Sequence, residues 1–322
     1  MKSDLRKVVI VGAGMVGMSY AYALLNQNAC DELLLIDIHP DKVLGESMDL
    51  NHGLAFSTSG MRIRAGTYAD CSDAGIIALC AGVAQRPGES RLELLKRNAD
   101  VFRSIVQPVL ASGFQGLFLI ATNPVDLMTR ITYTLSGFDE RRVIGTGTAL
   151  DTARLRYLLG NALSVSSRNI HAYVMGEHGD SEFVPWSQAS LGPLPILELC
   201  RSPEHPLTLD HLWQISDEVR DAAQQIIAAK GATYYGIGMG MVRITNAIFG
   251  NENSIVTVSA RLDGQYGVRG VFAGVPCIIG RQGVDRMLTL SLTDQETQLF
   301  RQSCGILEAA YEELEQSGYF EK

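Results

Sequence analysis

Val8-Val9-Ile10-Val11-Gly12-Ala13-Gly14-Met15-Val16-Gly17 is the stretch that decides the fold. Four consecutive apolar residues read as a strand buried on both faces of a parallel sheet. The glycines then spell G-x-G-x-x-G, and Met15 to about Gln27 reads as a helix. Among 32 glycines that pattern alone is weak. Its context is what gives it meaning: Leu33–Ile36 is a second buried strand, and Asp37 follows it, twenty residues beyond Gly17. A strand, a glycine turn, a helix and a second strand ending in an acid make a dinucleotide-binding βαβ unit. Gly12 allows the tight turn, Gly14 lets backbone approach a pyrophosphate, and Gly17 permits close helix–strand packing. The helix N-terminus offers free N–H groups and a positive dipole end to the phosphates. Asp37 should accept ribose hydroxyls and repel a 2′-phosphate, which favours NAD over NADP; nearby His39 and Lys42 soften that preference.

Working outward, Met61–Ala65, Ile76–Cys80 and Leu117–Ala121 read as further strands. Helices lie between most of them, from Pro40 to about Ala55 and from Arg91 to Ser112. This alternation predicts an α/β fold with a doubly wound parallel sheet of the Rossmann type. After about residue 145 the rhythm changes. Helical segments dominate (Thr148–Leu163, Leu209–Ala229, Thr233–Phe249), with β-rich stretches at Ile170–Val174, Ser254–Leu262 and Val271–Ile279. The expected organisation is a dinucleotide-binding domain over 1–145 and an α+β catalytic and substrate domain over 146–322, closely packed because no linker separates them. A last helix, about Asp294–Gln316, is polar enough to be expected on the surface.

With 322 residues, 46% apolar and 19% charged, the chain can bury a sizeable core. Its net charge of −8 excludes a general nucleic-acid footprint. No segment offers about 20 uninterrupted apolar residues, so no membrane span is expected. Lys2, Arg6 and Lys7 before an uncharged run to Leu25, with Ala21-Tyr22-Ala23, imitate a secretion signal, but the regularly spaced glycines argue against it. The six cysteines form no C-x-x-C pair, which points to a reduced, cytoplasmic compartment. With the six histidines they form no ligand-spaced cluster, so no metal is expected.

Three polar segments remain: Gln85-Arg86-Pro87-Gly88-Glu89-Ser90-Arg91 after the strand ending at Cys80, Leu150-Asp151-Thr152-Ala153-Arg154, and Gly176-Glu177-His178-Gly179-Asp180. Each alone has an ordinary explanation, as a solvated loop, a helix-surface ion pair or an exposed loop histidine. Together, in a dinucleotide-binding chain, they point to catalysis. With Ala121–Asp126, Gly145–Arg154 and Gly231–Gly236, they make the chain resemble the lactate/malate dehydrogenase superfamily nearly end to end, its bacterial L-lactate dehydrogenases in particular.

The resemblance implies hydride transfer between a 2-hydroxy acid and NAD. His178 would be the proton carrier, suited to neutral pH, and Asp151 would hold its ring. Arg154 would grip the substrate carboxylate through a bidentate fork, and Arg91, carried by a closing loop hinged at Pro87 and Gly88, would polarise the carbonyl. Asn123, Asp126 and Thr233 would complete the substrate pocket. Cofactor contacts would add Val16, Lys42, Tyr68, Gly82, Val83, Ser104, Ala121, Thr122, Asn123 and Thr146 to Gly12, Gly14, Gly17 and Asp37.

Neutral Gln85 at the discriminating position favours pyruvate, because a second substrate carboxylate would need a facing cation. Arg86 could supply that cation if the loop shifted by one residue, which keeps malate open. A bulkier 2-oxo acid stays open too, since a mobile loop can enclose a larger pocket. A non-catalytic NAD-binding protein is disfavoured by the presence of His178, Asp151, Arg154 and Arg91. On a helix Arg156 lies about 200° from Arg154, and so faces away from the substrate. The resemblance implies a homotetramer in which Arg156 and His171 bind fructose 1,6-bisphosphate at a subunit interface.

Overall fold

The structure, a computed structural model, describes residues 6–84, 86, 88–201 and 207–320. Strands β1 (Lys7–Val11), β2 (Glu32–Ile36), β3 (Arg62–Ala65), β4 (Ile76–Leu79), β5 (Leu117–Ile120) and β6 (Val143–Gly145) run parallel, side by side as β3-β2-β1-β4-β5-β6. Every residue of β1, β2, β4 and β5 is buried, as continuous apolar runs require, whereas edge strand β3 alternates. Helices α1 (Met15–Gln27), α2 (Pro40–Leu54), α3 (Arg91–Ala111) and α4 (Val125–Ser136) connect them. Strand order reverses between β1 and β4, which opens a crevice beyond their carboxyl ends.

The second half contributes α5 (Ala149–Leu163), β7 (Ile170–His171), β8 (Ser190–Leu191), β9 (Leu194–Pro195), α6 (Ile196–Leu199), α7 (Leu209–Lys230), α8 (Tyr235–Phe249), β10 (Ser254–Asp263), β11 (Arg269–Gly280), β12 (Gly283–Met287) and α9 (Asp294–Gln316). Its antiparallel β10-β11-β12 meander does not form a separate sheet. Ser259 of β10 pairs with Gly145 of β6, so one nine-stranded sheet runs through both halves. Gly145 permits this approach, since a Cβ there would sit 2.2 Å from Thr129 Oγ1 and 2.7 Å from Ser259 Cβ. A second, smaller core of Leu155, Leu159, Ile170, Trp186, Leu212 and Ile215 fills the space between α5 and α7.

One local expectation is corrected and one is refined. The expected strand Ile170–Val174 ends at His171, because side chains take over the backbone groups further on. Val174 N–H donates to Thr152 Oγ1 (2.9 Å), and the Val174 carbonyl accepts from Thr148 Oγ1 (2.6 Å). Helix α9 does lie at the surface, with Arg301, Gln302, Glu312 and Glu313 exposed, but its other face is buried. Phe300, Cys304, Leu307, Tyr311 and Leu314, spaced by threes and fours, are buried in the main core. Among the described residues no helix is long and apolar enough to cross a membrane.

Candidate functional site

The crevice begins at the glycine turn. Gly12 has φ +106, and a Cβ there would lie 2.4 Å from Ala81 N; at Gly17 one would lie 2.1 Å from Gly12 O. Both glycines are therefore needed to bring the β1–α1 turn against β4 and against itself. Gly14 differs, because its Cβ position faces open space. Gly14 is also the N-cap of α1, with no side-chain cap and no acid in the first turn. Free amides facing a void fit a pyrophosphate, so the turn passes a chemical test for the implied dinucleotide. Asp37 ends β2 with Oδ2 accepting from Ala13 N–H (2.8 Å) and Oδ1 from His39 N–H (3.1 Å), which fixes the carboxylate beside the turn.

The other expected cofactor residues lie on segments that follow the parallel strands in the chain. Thr122 Oγ1 donates to the Ala81 carbonyl (2.7 Å), and Val83 N–H donates to Oδ1 of buried Asn98 (2.9 Å), which ties the loop after β4 to its neighbours. A Cβ on Gly82 would strike Thr122 Cγ2 at 2.7 Å. Thr146 is buried, with its N–H on the Ile120 carbonyl (2.8 Å). Ala121 and Val16 are half-buried, and half-buried Tyr68 lies within electrostatic reach of Asp37. Lys42 is exposed in the first turn of α2, and exposed Ser104 bonds back to the Val101 carbonyl within α3 (2.7 Å).

The acid–base groups come together across the two halves. Asp151, 1% exposed in the first turn of α5, accepts from Arg154 Nη1 through Oδ1 (2.8 Å) and meets His178 Nδ1 through Oδ2 (2.6 Å). Asp126, in the first turn of α4, is 2% exposed and accepts the His178 backbone N–H at 2.8 Å. It therefore holds the loop main chain from beneath. Burial pulls the His178 imidazole down, but the charge and hydrogen bond of Asp151, then Glu182 and Asp126, outweigh it and lift the ring to about 9. Burial pushes the Asp126 carboxyl up to about 6.

The loop itself is pinned. Gly176 exchanges backbone bonds with Gly274 of β11 (3.0 and 2.7 Å). From α9, Ser303 Oγ accepts the Glu177 N–H at 2.8 Å and bonds Ser181 Oγ at 2.9 Å.

Arg91 is not joined to this cluster. A capping box between Ser90 and Glu93 makes Arg91 the first residue of α3 rather than part of the loop, and its exposed side chain makes no described hydrogen bond or ion pair. Asn123 is exposed at the end of β5, and Thr233 is half-buried between α7 and α8. Gln85 and Pro87 lie outside the described residues. Arg156 donates from Nε to the Ala172 carbonyl (3.0 Å), one residue beyond exposed His171.

Sequence reasoning missed Glu182 and Ser303. Glu182 stands two residues past the histidine motif, and its carboxylate, His178 and Asp151 place one polar atom each within 4.8 Å of one another. Both Asp151 oxygens and His178 Nδ1 are already hydrogen-bonded, so this is an acid–base cluster in its chemistry. Ser303 had no signal, since it reaches a loop 126 residues away in sequence.

Comparisons with known proteins identify the family. The family model "lactate/malate dehydrogenase, NAD binding domain" matches residues 6–145, and "lactate/malate dehydrogenase, alpha/beta C-terminal domain" matches residues 148–317. An L-lactate dehydrogenase of Geobacillus stearothermophilus is 52% identical over 94% of this chain and 95% of its own. L-lactate dehydrogenase 1 of Peribacillus psychrosaccharolyticus is 49% identical over 94% of this chain and 95% of its own. In structure, the ligand-bound minor L-lactate dehydrogenase of Enterococcus mundtii superimposes with a TM-score of 0.95 at 46% identity, covering 97% of this chain and 99% of that one.

Proposed function

Since the chain belongs to the lactate/malate dehydrogenase family of NAD-dependent oxidoreductases, we propose that it interconverts (S)-lactate and pyruvate. The observation that carries this reading is the His178–Asp151–Arg154 chain, in which one buried carboxylate orients both an imidazole and a guanidinium. Bound NAD would exchange a hydride with the substrate 2-carbon. His178, held by Asp151 at Nδ1, would pass a proton between Nε2 and the substrate oxygen. Arg154 keeps N–H groups beyond the one on Asp151, and these would fork onto the substrate carboxylate. Arg91 would meet the developing charge on the carbonyl oxygen, while Asn123 and Thr233 would line the pocket and Asp126 would support it. The two halves, 1–145 and 146–322, would supply cofactor and substrate contacts respectively.

Relatives carrying the L-lactate name, together with neutral Gln85, favour pyruvate over oxaloacetate. NADH oxidation followed with pyruvate, oxaloacetate and a branched 2-oxo acid tests this. Pyruvate should be preferred to oxaloacetate by about a hundredfold in kcat/KM, the value of an uncompensated carboxylate in a closed pocket. Gln85→Arg should move the preference toward oxaloacetate. Equal wild-type efficiency on both acids would overturn the lactate reading in favour of malate.

The same reading includes a cytoplasmic homotetramer activated by fructose 1,6-bisphosphate. Six free cysteines support the compartment. Exposed Leu44 and Met48 on α2 and Tyr235 and Met239 on α8 support subunit contacts. Arg156 beside exposed His171 supports a phosphate site, an imidazolium and a guanidinium fork being suited to that group.

A further inference from the structure

Glu182 is 7% exposed, yet its carboxylate makes no hydrogen bond among the described residues; only its backbone N–H is engaged, by the Gly179 carbonyl. Its position accounts for it. One side of Glu182 faces His178 and Asp151, and the other lines a cleft of about 600 Å³ between α7 and α9, beside Ser216 and Arg220. The Arg220 Nε in that wall is buried and has no hydrogen-bond partner. We propose that Glu182 is a positioning residue of the acid–base pair: its carboxylate supplies from the cleft side a counter-charge that keeps His178 protonated in alkaline solution.

The charges around it give the sign. Asp151 and Arg154 on α5, His178 on the loop and Arg220 on α7 act on Glu182. Glu177 and Asp180 flank the histidine, Asp126 on α4 lies under it, and Glu296 on α9 is occupied by Ser187. Burial and then the Asp151 charge raise the Glu182 carboxyl, against His178, Arg154 and Arg220. Glu182 therefore ionises late, when His178 is about to lose its proton, and the new negative charge delays that loss.

The inference rests on His178 as the proton carrier, so His178→Gln is measured alongside; turnover retained there would refute that reading instead. For Glu182→Gln, the alkaline fall of kcat/KM for pyruvate should move to lower pH by about half to one unit, the size of a near but unbonded charge. Glu182→Asp should restore most of the shift. A purely structural role would lower turnover equally at all pH values and leave the limb in place, which would overturn the proposal. Wild-type protein gives a reading independent of variant folding. Proton uptake on forming the NADH–oxamate complex should show two steps against pH, and a single-group curve would also overturn it.

Discussion

As the proposed proton donor, His178 must be charged before its substrate arrives, and its bond to Asp151 favours that charge. Burial is the largest single effect on the ring and lowers its value, but the weakly screened charge and hydrogen bond of buried Asp151, together with Glu182 and Asp126, outweigh it. In the proposed reaction pyruvate reduction draws on the protonated ring, so it should persist below about 9 and fall as the pH rises through that value. Lactate oxidation should behave in the opposite sense. The raised value also stabilises the fold, fully below the unfolded histidine value near 6.5 and progressively less as pH rises through about 9. Asp151→Asn removes the strongest charge opposing burial and leaves only Glu182 and Asp126 against it. The alkaline limb of pyruvate kcat/KM should drop by about two units. At pH 7 the efficiency should fall by about a hundredfold, about 3 kcal/mol, since Arg154 loses its ion pair as well. Unchanged limbs in a stopped-flow pH profile would remove Asp151 from this role.

At the level of elements, the catalytic loop belongs as much to α9 as to its own chain neighbours. Gly176 adopts φ +97, and a Cβ there would lie 2.5 Å from Ser303 Oγ, so helix and loop are in direct contact. The Ser303 hydroxyl serves Glu177 N–H and Ser181 Oγ together. Ser303→Ala leaves the Glu177 N–H without its partner in a nearly closed space, while Ser181 Oγ keeps its bond to the Glu177 carboxylate. The substitution should cost about 1–3 kcal/mol in urea unfolding. It should also lower kcat for pyruvate while NADH affinity, measured by fluorescence titration, stays the same, because the cofactor turn lies on β1 and α1. Parallel losses in both measurements would mean that α9 supports the whole fold rather than the loop.

Across the whole molecule, the continuous sheet explains how the two halves present one site. The β6–β10 pairing puts the start of α5, and with it Asp151, directly after the last parallel strand. The helix that carries Asp151 and Arg154 also carries Arg156, whose Nε holds the Ala172 carbonyl on the segment leading from His171 to His178. An anion that orders Arg156 and His171 at a subunit contact would therefore act on both supports of His178. At about pH 6, millimolar fructose 1,6-bisphosphate should lower the KM for pyruvate severalfold. Replacing Arg156 and His171 with neutral residues should flatten the response. Superimposable saturation curves with and without the bisphosphate at that pH would refute the effector site.

The sequence alone determined the Rossmann half, because its signals are local. A buried parallel strand is an unbroken apolar run, a pyrophosphate turn needs glycine at fixed offsets, and Asp37 follows its strand directly. It also supplied His178, Asp151 and Arg154 as chemistry in search of an arrangement. Only tertiary structure decided the rest. The joining of the two halves into one sheet rests on a two-residue pairing, Ser259 with Gly145, that leaves no periodic trace. The burial of α9 depended on which face met the core, and polar composition concealed it. Glu182 and Ser303 matter through contacts made across folded chain, and contacts between distant residues are set by packing rather than by any spacing a sequence displays.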